Sequence, residues 1–164
     1  MDLESFLEWL ETTAIAKFVQ TSPWAFPAIE SLHVIAIASV VGLIAIVDMR
    51  LIGLASRDRP ISEILRDYLW IVWVAYAVAV VSGTLMFVTS ASSYAHNLPF
   101  ILKMILMLLA GINMLIFEMK IVRTVKPGDR TNPALAVRVS GAISICLWIA
   151  IVVFGRWIGF TKFG

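Results

Sequence analysis

Cysteine, histidine and charge are all scarce in this chain: one Cys, two His and 15% charged residues among 164. The lone Cys146 excludes an internal disulfide and any four-cysteine zinc or iron–sulfur site within one chain. Thin charge goes with 60% hydrophobic residues, against about 45–50% apolar and about 25% charged in soluble domains. A water-soluble fold could not hide that much apolar surface. The connection from Ser90 to Pro99 has no lysine or arginine. No internal repeat and no paired helix breaks occur, which argues against a transporter built of inverted halves. The start of the chain also lacks the pattern of a signal peptide: Asp2 and Glu4 come first, and no unbroken apolar core with a small-residue cleavage site follows.

Four apolar runs are present, at about Pro27–Asp48, Leu69–Thr89, Phe100–Met119 and Val139–Ile158. Each has the roughly 20 residues that a membrane-spanning helix needs, and together they use most of a one-domain length. Ahead of them, Leu3, Phe6, Leu7, Leu10 and Ala14 recur at helical spacing while Glu4, Glu8 and Glu11 take the other face. This predicts an amphipathic helix over Leu3–Val19 lying at the membrane surface, then a turn at Ser22-Pro23 into the bilayer. Residues 1–21 and 22–164 are therefore separate units. Arg50, Arg57, Arg59 and Arg66 flank the first connection between spans, and Lys120, Arg123, Lys126, Arg130 and Arg138 the third. The positive-inside rule places both in the cytoplasm, leaving the termini and the His96 connection on the opposite, periplasmic side of a bacterial inner membrane. Trp24, Trp70, Trp73, Trp157 and Tyr94 near span ends suit the interface. Small residues, namely Ala36, Ser39, Gly42, Gly83, Ala110, Gly111, Gly141 and Ser144, predict close helix contacts. The expected fold is an all-α, antiparallel four-helix membrane bundle with an interfacial N-terminal helix.

Within that topology the ionisable residues fall into tiers. Helical rise sets His33 roughly 9 Å, and Lys103 about 5 Å, below the outer start of their spans. Arg156 approaches the same level from the end of the last span, and His96 lies just above it. Ionisable residues inside a span are costly and invite a functional reading. Glu30 is one turn above His33, so it can orient the imidazole through its second nitrogen, as carboxylates do for metal-bound histidines. The structural alternatives are simple. Glu30 suits a helix N-terminus, Lys103 and Arg156 can snorkel, and His96 can be an ordinary loop residue. On the inner side, Asp48, Arg50, Asn113, Glu118 and Arg138 read as anchors. Met104 and Met107 could offer two thioethers to copper(I), although methionine is first a packing residue.

The run Glu30-Ser-Leu-His33, Gly42, Asp48-Met-Arg50, Leu51-Ile-Gly53-Leu54, Ser82-Gly-Thr-Leu-Met-Phe87, Asn97-Leu-Pro-Phe100-Ile-Leu-Lys103 and Ala110-Gly-Ile-Asn113 resembles a bacterial four-helix membrane family catalogued as a domain of unknown function. More distantly, the helix-one histidine with Phe100-Xaa-Xaa-Lys103 and Leu109-Ala-Xaa-Xaa-Asn113 looks like copper-resistance D-type membrane proteins and four-helix protoporphyrinogen oxidases. The latter resemblance implies functional roles for His33 and Lys103, and haem b associated with the histidine. The further histidines of dihaem four-helix cytochromes are missing, so the second axial ligand is unassigned. The expectation is a haem b redox or electron-transfer subunit. His33 is its axial ligand, backed by Glu30; Lys103 or Arg156 pairs with the propionates, and His96 is a candidate sixth ligand. The alternatives are a copper-handling protein and a non-catalytic assembly subunit. No separate base or nucleophile marks an enzyme. Expected partners are membrane lipid and, through the N-terminal helix, another protein, with no nucleic acid.

Overall fold

The computed structural model describes residues 2–55, 58–121 and 134–161. Arg57, Arg123, Lys126 and Arg130, and the side chain of Lys120, lie outside the described residues. The elements are α1 (Leu3–Thr12), α2 (Ala14–Thr21), α3 (Ala25–Ile52), α4 (Ile61–Val88), α5 (Ala91–Ala95), α6 (Leu98–Ile116) and α7 (Leu135–Thr161), with no strand among the described residues. A π-helical stretch, Phe117–Ile121, continues α6. α3, α4, α7 and α6 with its extension are each long and apolar enough to cross a bilayer. Their outward faces carry large exposed apolar side chains such as Ile35, Val81, Leu108 and Val153. Lipid is the solvent that tolerates such a surface, and this is a four-helix membrane protein.

The N-terminal segment is two helices, not the single one predicted. Thr13 is extended, with ψ 153, and its hydroxyl oxygen accepts from the Ala16 N–H at 3.3 Å. A threonine that caps the next helix in this way interrupts the first. Leu7 of α1 and Ala16 and Val19 of α2 are buried. The polar face is committed as well. Glu11 Oε1 accepts from the Ser92 N–H at 2.8 Å, and Gln20 Nε2 donates to the Thr89 carbonyl at 2.9 Å. The pair is thus clamped onto the connection between α4 and α6, where the predicted loop forms the short α5.

α4 starts at Ile61, well before the predicted Leu69. The intervening stretch is charged, but Ile61, Ile64 and Leu65 share one face and bury against Val47, Leu51, Phe117 and Val137. α7 likewise starts at Leu135, which brings Val137 into the same cluster. Gly53, at φ +86, ends α3 with its N–H on the Arg50 carbonyl at 3.1 Å. This left-handed position favours glycine.

α3 is the hub. It packs on α4 and on α7, and α6 packs on α7, but the α4 and α6 backbones stay more than 8 Å apart and meet through side chains at the α5 end, where the Phe87 and Phe100 rings stack with centroids 5.6 Å apart. The bundle is therefore open along one side. Gly141 explains the α3–α7 contact, since a Cβ there would lie 3.0 Å from Leu51 Cβ and 3.2 Å from the Asp48 carbonyl oxygen. Gly83 does the same for α3 and α4. Gly42 and Gly111, also predicted to permit close contacts, meet nothing within 4 Å. Gly42 lies on the exposed surface, and Gly111 borders the open side.

Candidate functional site

At the end of the bundle covered by α5, each spanning helix contributes a residue to one small constellation. His33 projects from α3 toward α4, where its Nδ1 is 2.9 Å from Ser82 Oγ. The Ser82 hydroxyl points its proton back along its own helix, 2.6 Å from the Val78 carbonyl. A hydroxyl has a single proton to donate. Nδ1 must therefore carry the hydrogen and donate to Ser82, which leaves the lone pair of the neutral ring on Nε2. Fixing one ring nitrogen so that the other is free is how ligating histidines are oriented. Gly83 gives the ring its space, because a Cβ at that position would lie 2.9 Å from His33 Cε1.

Lys103 enters from α6 and runs along α7, with Nζ 3.5 Å from where a Cβ on Gly155 would be. Its charge reaches the His33 ring. The side chain is only half-exposed, yet no carboxylate pairs with it among the described residues. A cation held in such a place without a counter-charge can stabilise a visiting anion. His33 and Lys103 thus share one tier of the bundle, the first seated against α4 and the second against α7.

The other predicted members are placed elsewhere. Glu30 is exposed and has no hydrogen-bond or ion-pair partner among the described residues, so Ser82, not Glu30, orients the imidazole. Arg156 is exposed and its guanidinium sits over the Phe160 ring, 5.9 Å from the centroid. His96 uses both nitrogens outside the constellation. Nδ1 donates to the Ser92 carbonyl at 2.8 Å, and Nε2 meets Glu4 Oε1 at 3.1 Å. The Ser92 carbonyl, followed by the Glu4 charge, raises the His96 pKa above its ordinary value. With no free lone pair in this arrangement, His96 ties α1 to α5 and is not oriented to serve as a sixth ligand. Among the described residues no group of three or more His, Cys, Asp or Glu converges on a metal-sized site. Met104 is half exposed on the outer surface, while Met107 borders a cavity farther along the bundle. Cys146 is free and exposed.

Two features escaped the sequence reading. Ser82 lies in an otherwise apolar run, and its pairing with Gly83 was the available signal for a polar neighbour needing room. The second is a cavity of about 210 Å³ toward the opposite end, bordered by all four spanning helices and including Asp48. Asp48 looked like an anchor at a span end, but it is 4% exposed.

Comparison with known proteins finds a family that matches nearly the whole chain. The family of unknown function DUF6644 matches residues 6–161, and this chain belongs to that family. No curated protein and no solved structure matches.

Proposed function

We propose that this protein resides in a bacterial cytoplasmic membrane and holds one b-type haem at the α5 end of the bundle, with His33 Nε2 as axial ligand and Lys103 facing a propionate. The observation that carries this reading is the His33–Ser82 bond, which leaves Nε2 free beside an ammonium without a counter-ion. Ligation of haem calls for a neutral imidazole, and its carboxylates call for cations. Between the α4 and α6 backbones at this end lie the Phe87 and Phe100 rings, stacked with centroids 5.6 Å apart, an apolar surface against which a planar group could lie. When bound, haem would supply one-electron chemistry. The chain's part is to hold the imidazole tautomer through Ser82, to keep the ring in place over Gly83, and to offset carboxylate charge with Lys103.

Orientation follows from charge. Arg50, Arg59, Arg66 and Arg138 cluster at the end opposite α5, and the Ser90–Pro99 connection carries no lysine or arginine. The positive-inside rule makes that basic end cytoplasmic and sets the His33 constellation in the outer half of the bilayer.

A second reading, a non-catalytic assembly subunit, is favoured by one observation. Leu3, Phe6, Trp9 and Phe18 expose an apolar face on the clamped N-terminal helices, where either another protein or lipid could lie. Colour separates the two readings. Protein purified from haem-replete cells is expected to show a Soret band that His33→Ala abolishes without loss of folded, detergent-soluble protein. Lys103→Met is expected to weaken haem retention. A colourless parent, or a His33→Ala protein that keeps the parent spectrum, sinks the haem reading.

A further inference from the structure

The cavity at the basic end has the size, lining and chemistry of a second site, independent of His33. Its volume is about 210 Å³. Apolar cavities of roughly 150 Å³ accept benzene, so a single aromatic ring fits here and a porphyrin does not. Trp73 and Tyr76 of α4 form part of the wall with ring centroids 6.0 Å apart, edge to face, and Trp148 of α7 and Met107 and Met114 of α6 complete its apolar lining. Aromatic faces and thioethers are favourable neighbours for a ring. Trp73 of α4 and Gly111 and Leu115 of α6 line the cavity and are also exposed on the outer surface, so the way in lies through the lipid.

The polar members of the wall differ in what they have left to offer. Asn113 and Ser140 satisfy each other: Asn113 Nδ2 donates to the Ser140 carbonyl at 3.2 Å, and Ser140 Oγ donates to Asn113 Oδ1 at 3.3 Å. Asp48 is different. Ser144 stands within hydrogen-bonding reach of its carboxylate, but Oδ2 is sealed from solvent and has no partner among the described residues. Arg50 does not neutralise it, since no ion pair joins them and Arg50 Nε donates instead to the Arg59 carbonyl at 2.9 Å. A buried acceptor without a donor, in the wall of an aromatic cavity that opens to lipid, selects a ligand that brings a hydroxyl on a ring.

We infer that this cavity binds a lipid-dissolved phenol, the chemistry of a quinol headgroup, with its ring among Trp73, Tyr76 and Trp148, its hydroxyl donating to Asp48, and its tail in the gap between α4 and α6. Radiolabelled 4-nonylphenol and nonylbenzene, which lacks the hydroxyl, provide the test, using purified full-length protein in lipid nanodiscs with empty nanodiscs subtracted. Saturable, one-site binding of the phenol is expected, tighter than nonylbenzene by about tenfold, the worth of one hydrogen bond. Asp48→Leu should erase that preference. Gly111→Phe, which grows into the open space bordering the cavity, should abolish saturable binding of both probes. Gly42→Phe, on the exposed surface, and His33→Ala should leave phenol binding unchanged. Absence of saturable binding overturns the inference, and so does a phenol preference that survives Asp48→Leu or binding that survives Gly111→Phe. If Asp48→Leu does not fold, Gly111→Phe decides alone.

Discussion

Replacing Gly83 with alanine tests whether His33 is held as the structure describes. The new methyl would sit 2.9 Å from His33 Cε1, inside normal contact distance. A free ring tip could swing aside at little cost, but this one is tethered by the 2.9 Å bond from Nδ1 to Ser82. Relief therefore means breaking that bond, worth about 0.5–1.5 kcal/mol, or shifting α3 against α4, and overpacking of that kind costs about 1–3 kcal/mol. Against this, alanine gains up to about 1 kcal/mol over glycine in helix propensity. The expected net loss against the parent is up to about 2 kcal/mol, or as much as roughly 4–8 °C in Tm at this chain length, read by thermal unfolding in detergent. Gly111→Ala, with nothing within 4 Å of its new methyl, controls for propensity and should melt at or slightly above the parent. The double variant His33→Ala with Gly83→Ala should recover the loss, because the methyl then fills the space the ring leaves. A Gly83→Ala protein as stable as Gly111→Ala, or a double variant with no recovery, refutes the described seating of the imidazole.

Three further outcomes are expected. The contact between His96 and Glu4 should strengthen the hold of α1 in acid: the folded-state pKa of His96 is raised, so the contribution is full below the unfolded value of about 6.5 and fades as pH rises through the higher folded value. Hydrogen-exchange protection across residues 3–12, taken relative to the intrinsic rate at each pH, should fall over that window in the parent and not in His96→Gln; an identical protection profile in both rules the contact out. Gly141→Val should cost about 1–3 kcal/mol, since its Cβ already meets Leu51 and the Asp48 backbone on the central helix, and a melt matching the parent would contradict the close α3–α7 approach. Cysteine at Ser93, exposed on α5, should react with an impermeant thiol reagent in intact cells while cysteine at Asp58 should not, and the opposite pattern inverts the assigned orientation.

Which parts of this molecule were legible in the sequence follows from the range of the forces involved. A backbone in lipid must satisfy its own hydrogen bonds, so each apolar run had to be a helix, and hydropathy alone located all four. Their ends were harder to read. Ile61, Ile64 and Leu65 are core residues on a turn of α4 that also carries Glu63, Arg66 and Asp67, and a reading weighted by charge assigns that turn to the loop. Thr13 looked like one more polar residue in an amphipathic helix, because whether a threonine caps or continues a helix depends on a local competition that spacing does not record.

The site divides in the same way. His33 and Lys103 stood out because an ionisable group inside an apolar run is conspicuous whatever surrounds it. Their partners did not, because partnership depends on which helices touch. Glu30 shares a face with His33 on one helix and looked like its natural companion, yet the imidazole reaches across to Ser82, forty-nine positions away in sequence. Local spacing shows which residues can meet along a helix, whereas the side from which a neighbouring helix arrives decides which of them do. The same argument accounts for Asp48. At a span end it reads as an anchor, and it borders a cavity only because α3 packs on α4 and α7 while the backbones of α4 and α6 stay apart. That separation has no signature along the chain. It arises where the close glycine contacts, Gly83 to α3 and Gly141 to α3, draw two helices onto the hub and none draws α4 onto α6.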